Sequence, residues 1–310
     1  MQALKVGVLG AGHFGRFHAL KLAKSGMLSG IFDASPERAG LVAAECGVAA
    51  MARDSLIAAS DAVVVAAPTA HHHELGLAVL RAGRHLFMEK PIAATLDQAD
   101  ELIAEAAARG LTLQVGHIER YSAAIIALRG AIGDFQPRAL EATRVAPFRP
   151  RSLDISVVLD LMIHDIDLVL SLAGAPLIDV RAVGAPVASS LPDYAVAQFR
   201  FANGAQAQIT ASRVAVSMER RLRLLGDQGE IRVDFLARQM QALRPGPGQP
   251  TEHMPQHTLT TQTWTEHDSL EAEHAALTHA ITHTTQPEAN GRIAREALAA
   301  ALKVEEALRG

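Results

Sequence analysis

The residues that decide the fold read Lys5-Val6-Gly7-Val8-Leu9-Gly10-Ala11-Gly12-His13-Phe14-Gly15. A short apolar, strand-like run leads into GxGxxG, and the glycines open a helical stretch, Phe14 to Lys24. In that setting each glycine has its own task. Gly10 permits a tight turn, Gly12 lets the backbone approach a pyrophosphate, and Gly15 lets the helix pack closely on the strand. Free N–H groups at the positive helix end would hold the pyrophosphate. Asp33 closes a second strand, Gly30-Ile31-Phe32-Asp33, near the roughly 20-residue separation at which an acid bonds the ribose hydroxyls. The expected cofactor is NAD rather than NADP, whose 2′-phosphate Asp33 would repel. A glycine-rich turn with no ligand is the bland alternative, and the agreement of strand, glycines, helix and acid argues against it.

Outward from this loop, strand-like runs (Lys5 to Leu9, Gly30 to Phe32, Ala62 to Ala67, His85 to Met88, Thr112 to Val115) alternate with helical stretches (Pro36 to Glu45, His72 to Ala82, Leu96 to Arg109). Strand, helix, strand at this spacing predicts a Rossmann-type, doubly wound parallel sheet over residues 1–118. The pattern then changes. Helices about Arg120 to Ala131 and Val157 to Leu172 bracket a strand and loop, and strands from Ile178 to Leu243 carry turn signals at Asn203-Gly204 and Asp227-Gln228-Gly229. Helices over about 266–282 and 292–308 close the chain. Residues 119–310 are expected to form an α+β substrate-binding and oligomerisation domain with a mostly antiparallel, open sheet.

The chain's 310 residues fit two domains. With 49% hydrophobic and 20% charged residues it lies far from the disordered class. A net charge of −4 offers no overall field for nucleic acid or an anionic membrane, so neither is an expected partner. Cys46 is the single cysteine, which excludes an internal disulfide and a CxxC framework. The longest apolar run, Ala62 to Pro68, is far short of the roughly 18 residues of a membrane helix. A cytoplasmic protein is expected.

Two places carry candidate chemistry. Phe87-Met88-Glu89-Lys90-Pro91 lies at the C-terminal end of a strand, where open α/β sheets bind ligands. There Lys90 is placed to exchange a proton with a hydroxyl or carbonyl; the bland reading is a surface lysine. In Leu159-Asp160-Leu161-Met162-Ile163-His164-Asp165-Ile166-Asp167, about 100° per residue puts His164 about 40° and Asp167 about −20° from Asp160, with Asp165 away near 140°. Three readings of this face stay open: a general acid–base pair, a metal site, and a buried structural histidine. His71-His72-His73 follows Ala67-Pro68-Thr69 at another strand end, where a cofactor could pass. His279 and His283 are one helical turn apart and read as solvent-facing.

These residues resemble the Gfo/Idh/MocA family of nicotinamide-dependent sugar oxidoreductases, through GAGHFG (10–15), APTAHHHE (67–74), FMEKPIA (87–93) and LDLMIHDIDL (159–168). EKP together with DxxxH on a helix is the specific part. The resemblance implies a catalytic set of Lys90, Asp160 and His164 with no metal. It implies cofactor contacts from Gly10, Gly12, His13, Phe14, Gly15, Asp33, Pro68, His72, Glu89 and Lys90. Met162 stands where many members carry Gly, which gives the pocket floor another shape. VGHIERYSAA (115–124) and ITASRVAVSMERRLRLLG (209–226) further resemble the branch that acts on UDP-N-acetylhexosamines, with UDP-N-acetylglucosamine the expected sugar. That branch oxidises C3 ahead of transamination in lipid A biosynthesis, which implies a downstream aminotransferase. The family also implies a homodimer or homotetramer.

A diphosphate needs cationic forks outside the cofactor cleft, and two arginine groups offer them: Arg144, Arg149 and Arg151, and Arg213, Arg220 and Arg221. Arg120, Arg149 and Arg213 are the foremost candidates, joined by Tyr121, Asp160 and His164 as substrate contacts. The bland reading pairs such arginines with Glu141, Asp154 or Glu219. Two other functions compete: a dehydrogenase of a free sugar, inositol or other cyclic polyol, and a catalytically inactive NAD-binding sensor.

Overall fold

The computed structural model describes residues 4–150, 153, 155–248, 256–265 and 267–310. The chain divides into two units, Met1–Tyr121 with Asp268–Leu298, and Ser122–His267 with Ala299–Gly310. The expected single cut at 118/119 therefore differs from the structure. An amphipathic helix near the end of a chain does not announce which sheet it covers, and here the penultimate helix returns to the first unit.

The first unit runs β1 (Val6–Leu9), α1 (His13–Lys24), β2 (Leu28–Phe32), α2 (Pro36–Cys46), α3 (Arg53–Ala58), β3 (Ala62–Val65), α4 (His72–Arg81), β4 (His85–Met88), α5 (Leu96–Ala108) and β5 (Leu113–Val115). All pairings are parallel, in the order β2-β1-β3-β4-β5. β1 and β3 are buried along their whole length, as strands covered on both faces must be. Helix ends follow local chemistry: Ser35 caps α2 by accepting from Arg38 N–H ahead of Pro36, and Thr95 caps α5 by accepting from Gln98 N–H. α3, six residues long, is too short to show a helical period in the sequence. The chain order reverses between β1 and β3, so the crevice beyond their carboxyl ends is the binding position of such a sheet.

The second unit holds α6 (Ala123–Ile132), β6 (Ala139–Val145), a π-helical turn (Val158–Met162) that runs into α7 (Ile163–Ala173), then β7 (Leu177–Ala185), β8 (Tyr194–Phe201), β9 (Gln206–Ser212), β10 (Glu219–Gly226), β11 (Gly229–Asp234), β12 (Gln239–Pro245) and β13 (His257–Thr263). The helix expected from Arg120 begins at Ala123, because Ser122 caps it and Ile118–Tyr121 forms a 3-10 turn instead. The eight strands are ordered β13-β12-β11-β10-β6-β9-β8-β7. Every pair is antiparallel except β6 with β9. Burial alternates along β8, where Ala195, Ala197, Phe199 and Phe201 point inward, so one face is packed as in other antiparallel sheets. α7 packs on β6 and β9, and α6 on β11 and β12. Each fully buried Phe or Leu of this layer contributes roughly 1.5–3 kcal/mol.

Asp268 caps α8 (Ser269–His283), which packs on α1 and on the 3-10 turn at 118–121. α9 (Gly291–Ala307) begins in the first unit and ends in the second. Among the described residues no helix is long and apolar enough to cross a membrane.

Candidate active site

The glycine loop has the geometry its spacing predicts. Gly10 has φ +104°, and a Cβ there would lie 2.4 Å from Ala66 O, so the loops after β1 and β3 touch at this residue. A Cβ on Gly15 would lie 1.8 Å from Gly10 O. Around Gly12, by contrast, a Cβ would meet nothing within 4 Å. The cradle is tight where chain meets chain and open where a pyrophosphate would approach, which fits a dinucleotide. His13 and Phe14 are exposed at the start of α1, and the His13 ring also meets Phe17 edge-on at 4.9 Å. Asp33 accepts from Ala11 N–H at 2.7 Å and Ser35 N–H at 2.8 Å, with Arg38 Nε 3.8 Å from its Oδ1. The acid is thereby held against the glycine loop.

Pro68 follows β3, beside the crevice. His72 is buried, with Nε2 2.8 Å from Ala67 O and Nδ1 2.8 Å from Pro91 O. Burial pushes its pKa down, against the pull of the two carbonyls. Its ring ties the loop after β3 to the loop after β4, a positional task beyond the cofactor contact expected of it.

Glu89 and Lys90 follow β4. The Glu89 carboxylate divides its bonds: Oε1 accepts from His18 Nε2 at 2.8 Å, and Oε2 from the Lys90 peptide N–H at 3.1 Å. His18 Nδ1 in turn lies 2.8 Å from His274 Nε2. Burial pushes the Glu89 carboxyl up, but the His18 bond and the Lys90 charge outweigh it and hold the group below its ordinary value. The expected cofactor residue Glu89 is thus also the head of a buried chain across β4, α1 and α8. Neither His18 nor His274 was anticipated, since their separations from Glu89 erase any local pattern. Arg120 and Tyr121, expected at the substrate, also have partners inside the first unit. Arg120 Nη1 is 3.3 Å from Glu288 Oε1, and Tyr121 OH accepts from Ala289 N–H at 3.4 Å.

In the second unit Asp160 is buried within the π-helical turn, and His164 sits half-buried in the first turn of α7. The even 100° wheel therefore does not describe this segment; π turns recur at functional sites because they re-aim side chains. Asp165, expected off the Asp160 face, pairs with Arg144. Among the described residues no group of three or more His, Cys, Asp or Glu side chains gathers to hold a metal.

Asp160 shares a pocket with Arg144, Arg149, Arg213 and Arg220. The expected arginines thus divide by task. Arg213 Nε donates to Asp193 Oδ1 at 2.9 Å, and its Nη2 to Ile155 O and Pro192 O. Burial raises the Asp193 carboxyl, but the N–H groups of Val187, Ala188 and Ser189 and the Ser189 hydroxyl outweigh it, and Asp193 titrates well below the usual carboxylate range. Arg221 alternates to the other side of β10 and pairs with Glu219 and Asp234, while Glu141 pairs with Arg223. Arg149 is exposed at the pocket rim. Arg151 and Asp154 lie outside the described residues.

Residues 4–117 match the family described as "Oxidoreductase family, NAD-binding Rossmann fold", and residues 124–232 match the "GFO/IDH/MocA C-terminal domain". The chain is 41% identical to the UDP-N-acetylglucosamine 3-dehydrogenase of Acidithiobacillus ferrooxidans over 98% of its own length and 97% of that protein's. A solved structure of that enzyme superposes with a TM-score of 0.94, covering 99% of this chain and 98% of the other. The myo-inositol 2-dehydrogenase of Thermotoga maritima is 31% identical over 74% of this chain and 75% of its own. The glycine cradle, the EKP strand end and the two matched domains together place the chain in the Gfo/Idh/MocA oxidoreductase family, to which it belongs.

Proposed function

We infer that this protein is an NAD-dependent dehydrogenase of a nucleotide sugar, oxidising the C3 hydroxyl of UDP-N-acetylglucosamine to the 3-keto sugar. The observation that carries this reading is the pocket in which Asp160 stands among four arginines. A carboxylate accepts from a sugar hydroxyl, and guanidinium forks suit a diphosphate. Arg144 and Arg213 are fixed by Asp165 and Asp193 and form the wall. Arg149 at the rim and Arg220 on β10 are the residues to take the phosphates. The full-length likeness to the Acidithiobacillus enzyme supports the same sugar.

Bound NAD supplies the hydride acceptor at nicotinamide C4. The chain's own part is proton handling: Lys90 or His164 takes the hydroxyl proton, and Asp160 accepts a hydrogen bond from that hydroxyl and orients it. A 3-keto sugar is an aminotransferase substrate, which puts such an enzyme next in sequence, as in lipid A biosynthesis. A homo-oligomer in the cytoplasm completes the reading. The likeness to inositol dehydrogenases favours a second reading, a free cyclic polyol, which has no use for Arg149 and Arg220. A dead sensor is disfavoured because Lys90, Asp160 and His164 are all present.

Calorimetry with NAD present decides. UDP and UDP-N-acetylglucosamine should bind and myo-inositol should not, and Arg149→Ala or Arg220→Ala should weaken the nucleotide sugar by more than the roughly 1 kcal/mol of an exposed pair. Lys90→Met and His164→Ala should each lower turnover at least about 100-fold, His164→Ala with NAD affinity unchanged. No affinity for UDP or any UDP-sugar overturns the reading in favour of the polyol.

A further inference from the structure

We propose that Glu89 is the positioning residue of Lys90, and that His18, backed by His274, is what locks Glu89 in place. Glu89 accepts from the peptide N–H of Lys90, one of the two residues proposed to take the hydroxyl proton, at 3.1 Å. Its own N–H donates to Val65 O at 2.9 Å, which ties the start of the EKP turn to β3. Its carboxylate lies against Gly116, where a Cβ would come within 2.9 Å of Oε2 and 3.1 Å of the carboxyl carbon. Gly116 N–H donates to Met88 O at 2.8 Å, so this residue cannot retreat without breaking the β4 edge. A side chain at this position would push the carboxylate from its place.

The charges around this group are ordered as well. Glu273, one residue before His274 on α8, is buried with no hydrogen-bond partner on its carboxyl oxygens. Burial, and then the charge of Glu89, push it well above its ordinary value, which favours its neutral form. His274 is pushed down to about 3 by burial and by His18, and is neutral too. Its Nε2 therefore accepts from His18 if His18 carries two protons and donates to it if His18 carries one. In both cases the His18 N–H that faces Glu89 is a donor. Of the half-buried Glu89 and the buried Glu273, the one whose ionised form is favoured is the one beside Lys90, the separation of roles seen when paired acids have their pKa values driven apart.

This rests on Lys90 acting at the reacting carbon, and its test needs no sugar, so it fails or stands apart from the substrate. The chain has five lysines. With carbon-13 in the lysine ε position and NAD bound, the Lys90 resonance is assigned by its loss in Lys90→Arg, and its titration is followed by NMR. Glu89→Gln, nearly isosteric, should lower the Lys90 midpoint by about 1 pH unit or more, the effect of losing an adjacent opposite charge. His18→Phe should move it the same way, and His18→Gln, which keeps an N–H donor, should restore it towards wild type. In turnover, kcat should fall in both variants, and in His18→Phe, a residue outside the expected cofactor contacts, the KM for NAD should hold. A merely structural cluster would lower Tm in these variants and leave the Lys90 midpoint where it was; that result overturns the proposal. Where His18→Phe does not fold, Glu89→Gln alone decides the role of Glu89 and His274→Gln that of the histidine chain, an unmoved midpoint counting against each.

Discussion

Arg144 and Asp165 meet in a two-point ion pair, Nε to Oδ2 at 2.7 Å and Nη2 to Oδ1 at 3.1 Å, with both side chains almost fully withdrawn from water. The pair joins the sheet at β6 to α7 one residue after His164, so it sets where the candidate catalytic histidine stands. Removing one partner leaves a buried charge uncompensated. Arg144→Met or Asp165→Asn should therefore cost about 3–5 kcal/mol in chemical denaturation, whereas the double replacement Arg144→Met with Asp165→Leu should recover most of it. A double variant whose loss is the sum of the two single losses would show that the pair does not act as a unit.

The glycine loop gives a contrast within three residues. Gly10→Ala meets Ala66 O and a left-handed backbone, so it should lower Tm with or without NAD. Gly12→Ala meets nothing in the protein, so Tm without cofactor should hold while NAD affinity falls. Thermal melts with and without NAD separate the two; a Gly12→Ala protein that binds NAD normally would remove the pyrophosphate from that surface.

Asp33, held at the glycine loop by Ala11 N–H and Ser35 N–H, should accept from the adenosine ribose and repel a 2′-phosphate. Wild type should bind NAD more tightly than NADP in fluorescence titration. Asp33→Ser should narrow the difference, with Arg38, 3.8 Å from the carboxylate, left to attract the phosphate. Tighter wild-type binding of NADP would refute the assignment.

Asp193 gives the acid side of stability. Its folded pKa lies below its unfolded value of about 3.9. The stability it contributes is thus present above pH ~4 and is lost as pH falls through that value towards the folded pKa. Tm should drop on acidification below pH ~4, and Asp193→Ala, already less stable at pH 7, should show a shallower acid limb. Parallel limbs in the two proteins would mean that other carboxylates govern it.

Glu273 works in the opposite direction. Its folded pKa is raised, so the folded state is favoured fully below the unfolded value of about 4.3 and loses that advantage as pH rises towards the folded pKa. Glu273→Gln should gain in Tm relative to wild type as pH rises above about 4.3, the gain growing until the folded pKa is reached. A constant difference across that range would argue that Glu273 is not buried neutral.

How far such features were legible from sequence follows from their range. The alternation of apolar runs and helical stretches and the turn at Gly10 depend on residues a few positions apart, and the five parallel strands and the cofactor loop follow from them. The same holds for the turn at Asn203-Gly204, where Gly204 takes φ +84°. Patterns of this kind reached as far as the family, because EKP and DxxxH each sit within a short segment.

Only the tertiary structure decided the rest. An arginine in a sequence is the same whether its fork meets a ligand or an aspartate, and Arg213 finds Asp193 20 residues away while Arg144 finds Asp165 at 21. His18 reaches Glu89 across 71 residues and His274 across 256. Parallel pairing of β6 with β9 inside an otherwise antiparallel sheet, and the return of α8 to the first unit, likewise leave no local mark. A local pattern reports the backbone preferences of neighbours in the chain; which charges neutralise each other is set by distances that exist only once the chain has folded.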